Sequence, residues 1–278
     1  MFDAELNLTD KDLRTIVRLV YERSGITLHD GKRALVAARL QKRVRTGGFG
    51  GYSEYIRHVE QDDSGEELVL LLDAIATNHT SFFREPQHFQ LLRETVLPPL
   101  IARGAAAKIE GWSAACSSGE EPYTIAMTLL ETVPASMQPA VTLFASDLST
   151  KVLKAAMAGV YKMDKVEGLP IEILRRHFEK GRGTLAGYAR VQPQVRQLVE
   201  FARLNLLEIG DLGKRFSFVF CRNVMIYFDR AVQQKVVTML ERHLLPGGYL
   251  FISHSESLNG ITHGLQWVAP AVYRRKDG

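Results

Sequence analysis

The chain is short of the residues that build several kinds of protein. Among 278 residues there are two cysteines, Cys116 and Cys221. They form no C-x-x-C pair, which excludes a thioredoxin-like redox motif and a disulfide framework and suits a reducing cytosol. The eight histidines never fall in H-E-x-x-H or a similar ligand spacing, so no metal is expected. Long apolar runs are missing too. The richest, LVLLLDAIA (68–76), is short and holds Asp73, so no direct membrane insertion is expected. The opening MFDAELNLTDKD is acidic and lacks the apolar core of a secretory leader. There is no internal repeat and no low-complexity tract. The expectation is a folded cytoplasmic protein.

What is present fits that class. Hydrophobic residues make up 46% and charged residues 24%, and the length suits one large domain plus a small one. The net charge of +4 allows a nucleic-acid partner, but the charge is uneven. Lys32, Arg33, Arg39, Lys42, Arg43 and Arg45 crowd one stretch that has no acid. A local patch points to one partner surface.

The first hundred residues read as helical. Thr9 suits an N-cap with Asp12 three residues on, and Leu13, Ile16, Val17 and Val20 form an apolar stripe closed by Gly25. Further helices are expected from about Lys32 to Thr46, from near Ser53, from a cap at Ser64, and from His88 to Arg103 behind Pro86. From Lys108 the pattern changes to strands alternating with helices. KIEGWSAA, VTLFASD, FSFVFC, PGGYLFIS and WVAPAVYRR read as strands, which argues for βαβ units and a parallel sheet. Between about 180 and 203, glycines and short apolar runs suggest a small antiparallel insert.

In such sheets ligands bind at the carboxyl ends of the strands, at the switch point. The loop after the first strand, AACSSGEEPYTIA (114–126), has one glycine and two acids. Phosphate would be repelled there, whereas a cationic, phosphate-free ligand such as S-adenosylmethionine would suit it. The plainer reading, in which Glu120 and Glu121 complement the helix dipole, stays open beside it. Asp147 ends the second strand, where an acid accepts from ribose hydroxyls or, equally, starts a turn. Arg222 and Asn223 end a very apolar strand and need partners. The segment ATNHTSFFREPQHF (76–89) pairs small polar residues with two phenylalanines and an arginine, as a lid over such a crevice would.

Together TNHTSFFRE (77–85), SSGEEPYTIA (117–126), FASD (144–147), NLLE (205–208), FCRNVMIYFD (220–229) and HSE (254–256) resemble the CheR family of chemotaxis receptor methyltransferases over essentially the whole chain. The resemblance implies a helical N-terminal receptor-docking domain, residues 1–85. It also implies a Rossmann-like S-adenosylmethionine-dependent methyltransferase domain, residues 86–278, of α/β class with the antiparallel insert. The implied activity is methyl transfer to glutamate carboxylates of methyl-accepting chemoreceptors, giving methyl esters and S-adenosylhomocysteine for sensory adaptation.

By the same resemblance Asn78, Thr80, Arg84, Glu121, Asp147, Asn205, Leu206, Arg222 and Asn223 would hold the cofactor, and Arg84 and Tyr227 would position the reacting groups. Lys32, Arg39 and Arg43 fall on one ridge of an ideal helix and would dock acidic receptor helices. Lys180, Gly181, Gly183, Gly187 and Arg190 would take a receptor's C-terminal peptide by strand addition, although the first basic position is Lys where Arg is often found. Family members are usually monomers and act on protein rather than nucleic acid. Two other readings stay open: a methyltransferase acting on RNA, and a receptor-tail adaptor that no longer catalyses. Against the first, there is no Asn/Asp-Pro-Pro-Tyr signature and no Pro-Cys.

Overall fold

A computed structural model describes residues 7–28, 30–76, 78–104 and 108–277. They fall into two compact units. One is Met1–Thr77 with Tyr227–Val232, and the other is Asn78–Ile226 with Gln233–Gly278.

The first unit is helical: α1 (Asp10–Ser24), α2 (Arg33–Thr46), α3 (Tyr52–Gln61) and α4 (Glu66–Ile75). Thr9 and Asp12 form a reciprocal capping box at the start of α1, and Gly25 ends it at φ 71°. Ile16 and Val20 of the expected stripe are fully buried, as are Val36, Leu40 and Val44 of α2, one turn apart. The start of α4 differs from expectation. Gly65 is its N-cap residue, and Asp62 accepts from the Glu67 amide at 2.7 Å while the Ser64 hydroxyl accepts from Glu66 at 3.2 Å. The carboxylate two residues upstream does the work assigned to Ser64. Tyr227–Val232 completes the unit: Ile26 and Phe228 form an antiparallel bridge, Thr27 N–H donates to the Tyr227 carbonyl at 2.8 Å, and Tyr21 Oη donates to Asp229 at 2.6 Å.

The second unit opens with α5 (Pro86–Leu91), a wide π turn (Leu92–Val96) and α6 (Leu97–Ile101). One continuous helix was expected here. Pro98 and Pro99 lack N–H donors and their rings would meet the Glu94 and Thr95 carbonyls, so the ladder widens just before them. The remaining elements, in chain order, are β1 (Ile109–Ala114), α7 (Glu120–Thr132), β2 (Val141–Asp147), α8 (Thr150–Ala158), β3 (Val160–Lys162), α9 (Ile171–His177), β4 (Phe178–Lys180), β5 (Tyr188–Val191), α10 (Pro193–Arg196), β6 (Val199–Arg203), β7 (Phe216–Phe220), α11 (Arg230–His243), β8 (Leu244–Phe251), β9 (Leu265–Ala269) and β10 (Val272–Arg275).

The main sheet runs β6-β2-β1-β7-β8-β10-β9. The pairs β1–β2, β1–β7, β2–β6 and β7–β8 are parallel, and β10 is antiparallel to both β8 and β9. The chain builds outward from β1 to one side, then returns to its other side with β7, so the switch point lies between β1 and β7. All of β7 is buried, as its unbroken apolar run requires in a parallel sheet. WVAPAVYRR is two strands rather than one, because Pro270 and Ala271 make a tight hairpin with Ala271 at φ 60°. The small antiparallel sheet, β3-β5-β4, draws on residues 160–191. Val199–Arg203 lies outside it, parallel to β2 in the main sheet. Local glycine and turn content marked the insert but carried no information about which sheet β6 would join.

Candidate functional site

The loops at the carboxyl ends of β1, β2 and β7, together with Asn78–Glu85, meet within the second unit. Their backbones are unusual. Phe83 (φ 51°), Glu85 (φ 58°), Ala115 (φ 68°), Ser117 (φ 50°) and Asn223 (φ 60°) are left-handed without being glycine. Each costs free energy that neighbouring contacts must offset, and such residues gather where backbone shape serves a site. Gly119 (φ 97°) closes the β1 loop, and a Cβ there would come within 2.8 Å of Tyr161 Oη and 2.9 Å of Ala156 Cβ.

Asp147 binds this loop to the end of β2. One oxygen accepts from Ser117 N–H at 2.8 Å and the other from Ser149 N–H at 2.9 Å. Ser117 Oγ donates to the Asn78 carbonyl at 3.1 Å, and Phe83 N–H donates to Thr124 Oγ1 at 3.2 Å, so the 78–85 arm is stitched to the β1–α7 turn. Phe82 is buried edge-on against Tyr161 and Phe178, with ring centroids 4.9 and 5.3 Å away. Phe83 meets Phe89 at 5.8 Å. The aromatic pair anchors the arm by its packing.

Arg222, 5% exposed, is the hub. Its Nη1 stands 3.0 Å from Glu121 Oε2, and its Nη2 stands 3.1 Å from Glu85 Oε2 and donates to the Arg84 carbonyl at 2.6 Å. Its Nε is buried without an acceptor. Phe89 lies under the guanidinium at 5.7 Å. Glu121 also accepts from Ser113 Oγ at 2.8 Å. Burial pushes the Glu121 carboxyl up, with Arg222 pulling against it. Burial also acts to raise Glu85, but the Ser253 hydroxyl, Arg222 and the His254 amide outweigh it and leave its pKa lowered. Glu120 accepts from Ser118 Oγ at 2.7 Å.

The Arg84 guanidinium donates to the His79 carbonyl at 3.0 Å. Asn205 makes a local turn, its side chain accepting from Leu207 N–H at 3.2 Å, and Leu206 beside it is partly buried. Tyr227 belongs to the helical unit. In that unit Arg43 pairs with buried Glu67, and Arg39 donates to the Ile75 carbonyl that ends α4. Two of the three ridge cations thus hold the unit together, while Lys32 is exposed in the turn before α2, with Lys42 exposed further along. In the small sheet Lys180 ends β4 and Arg190 is exposed on the central β5. Gly183 and Gly187 have φ 58° and 85°, and a Cβ on Gly181 would overlap the Leu185 carbonyl.

Sequence reasoning passed over Glu85, Ser253 and Glu256 as site residues, although the quoted motifs contained Glu85 and Glu256. It also passed over a cluster. Glu85, His88 and His254 bring a carboxylate and two imidazoles within 4.8 Å, a donor set of a kind that binds transition metals. Their separation along the chain hid them from a spacing scan. The Arg222 guanidinium, 3.1 Å from the same Glu85 oxygen, already supplies that carboxylate with a cation.

A sheet of this order, with an acid ending β2 and an acid–guanidinium pair beside the β1 turn, is a Rossmann-like domain whose polar groups gather at the switch point. The comparisons give the narrower answer. Residues 78–273 match the family model "CheR methyltransferase, SAM binding domain", and residues 11–76 match "CheR methyltransferase, all-alpha domain". The chain belongs to the CheR methyltransferase family. It is similar to chemotaxis protein methyltransferase 2 of Pseudomonas aeruginosa, with 39% identity covering 97% of this chain and 94% of that one. It is similar to chemotaxis protein methyltransferase 1 of the same organism (40%, covering 91% and 93%). It is also similar to the chemotaxis protein methyltransferase of Escherichia coli (38%, covering 96% and 92%).

Proposed function

We propose that this chain transfers a methyl group from S-adenosylmethionine to glutamate side chains of chemoreceptor cytoplasmic helices, forming methyl esters. The observation that carries the proposal is the convergence of Asp147, the Glu121–Arg222 pair and the Asn78–Glu85 arm at the carboxyl ends of β1, β2 and β7. The kinship with chemotaxis protein methyltransferases supports a chemoreceptor substrate.

The donor set suits the cofactor. Asp147 offers an acceptor for a ribose diol, and Asn205 and Leu206 border the adenine in this reading. An amino-acid zwitterion needs one anion and one cation, and Glu121 and Arg222 supply both. The buried Arg222 Nε retains a donor for a ligand oxygen. When bound, the sulfonium supplies an electrophilic methyl carbon. The accepting glutamate, with an ordinary pKa of about 4.3, is already ionised at neutral pH, so no general base is required. The protein's task is alignment and exclusion of water, effects worth roughly 7–11 kcal/mol in well-oriented systems. Arg84, with Asn78 and Thr80 on the same arm, takes a positioning role. The role of Tyr227 rests on family resemblance alone, as does strand addition of a receptor tail beside Lys180, Gly181, Gly183, Gly187 and Arg190. Docking of acidic receptor helices falls mainly to exposed Lys32 and Lys42, since Arg39 and Arg43 are engaged within their own unit.

The test is transfer of labelled methyl groups to membranes holding the organism's own chemoreceptors. Alkali-labile counts released as methanol are expected, and Asp147→Ala should abolish them while leaving tail binding intact. Alkali-stable counts would rule out a carboxyl ester. Unchanged behaviour of Asp147→Ala in both assays would favour the adaptor.

A further inference from the structure

The end of β7 turns sharply at Asn223, and one part-buried side chain from a distant part of the sequence holds that turn. Glu256 Oε2 accepts from the Asn223 and Ser253 amides at 3.1 and 2.7 Å, and its Oε1 accepts from Val224 and Met225 at 3.0 and 2.8 Å. At least four backbone donors converge on one carboxylate, three of them from the turn after β7, and the Ile226 amide adds its pull. A carboxylate is the one side chain that accepts on both ends. Asn223 needs such support, because its φ of 60° is left-handed.

The clamp leads directly into the hub. Asn223 Nδ2 donates to Ser253 Oγ at 2.7 Å, and Ser253 Oγ donates to Glu85 Oε1 at 2.8 Å. Glu85 Oε2 meets Arg222, which reaches Glu121. One run of hydrogen bonds therefore ties Glu256 to Asn223, Glu85, Arg222 and Glu121. Burial acts to raise the Glu256 carboxyl, against the pull of the amides. A carboxylate largely withdrawn from water relies on such donors.

We infer that Glu256 is a positioning residue for the cofactor end of the site: by gathering the amides of residues 223–225 and 253 it fixes the left-handed turn that presents Arg222 and Asn223. The inference rests on the proposed function, in which these two residues border the cofactor.

Glu256→Gln is the sharpest probe. The carboxamide keeps the size but replaces one acceptor by an NH₂ facing two N–H donors, so the turn must reopen. Small misplacements of this kind cost up to about 100-fold in turnover. The expected result is a 10- to 100-fold rise in the KM for S-adenosylmethionine and in the Kd for S-adenosylhomocysteine by calorimetry, with the KM for receptor membranes changed much less. Glu256→Ala should behave alike. Ser253→Ala, which removes one link and leaves the amides clamped, should give a smaller shift of the same kind, and it keeps the idea testable if the Glu256 variants do not fold. Cofactor KM and Kd unchanged in folded Glu256→Gln would overturn the inference. So would a lowered melting temperature with equal losses for cofactor and receptor. If the wild-type chain bound S-adenosylhomocysteine but methylated no receptor, the proposed substrate would fall while the binding readout still tested Glu256.

Discussion

His88 is a buried imidazole with a guanidinium for a neighbour. Its ring stacks on His254 at 4.7 Å and meets Phe251 edge-on at 5.6 Å, with Glu85 Oε2 3.5 Å from Nδ1. Burial first, and then Arg222, lower its pKa from 6.5 to about 4, against the pull of Glu85. Between those values the unfolded chain takes up a proton that the folded chain refuses, so stability rises with pH across the window and falls as pH drops through it. The full loss by pH 4 is on the order of 3 kcal/mol. Urea melts at pH 7 and pH 5 are expected to show a smaller pH dependence for His88→Phe, which keeps a ring but cannot titrate. An unchanged slope would mean that other groups dominate. At this scale, Asp147 and Arg222 stood out because a charged group at the end of an apolar strand is visible in sequence, and both lie among the loops at the strand ends. His88, Ser253 and Glu256 did not, because their parts depend on partners far away in the sequence.

Elements were most legible where a local rule sets their ends. The Thr9–Asp12 box needs only four residues to be recognised, and it appears as read. Removing its hydroxyl in Thr9→Ala leaves the Asp12 amide without its cap and is expected to cost about 1 kcal/mol. Thermal melts check this, and no shift would mean that water caps the helix equally well. Elements whose identity depends on pairing were not legible. Nothing in Val199–Arg203 announces that it lies along β2, and the break at Pro270-Ala271 disappears into an otherwise strand-like run. The π turn lies between these cases. Pro98 and Pro99 forbade a regular ladder back into residues 92–96, yet the helical pattern on both sides drew one helix through them.

At the scale of the molecule, the order of strands and helices was readable from alternating patterns, and the basic N-terminal stretch was correctly helical. The allegiance of individual segments was less so. Asn78–Glu85 was expected as a lid at the end of the helical domain, residues 1–85, whereas it groups with the sheet, because Ser117 and Thr124 hold it there. Tyr227–Val232 is separated from β7 by six residues and yet completes the helical unit.

That borrowed segment bears on inheritance. A module that is continuous in sequence can be exchanged between relatives at a single joint, but the helical unit here is written in two places in the gene. A chimera that takes residues 1–77 from one relative and everything else from another inherits a mismatched seam at the Ile26–Phe228 bridge. Such a hybrid is expected to melt lower than one in which Tyr227–Val232 travels with the N-terminal piece. Differential scanning calorimetry of the two hybrids would decide it, and equal melting temperatures would show the seam to be permissive. If the expectation holds, recombination that swaps the helical unit cleanly requires two exchanges, and the two pieces of this unit should be found to change hands together.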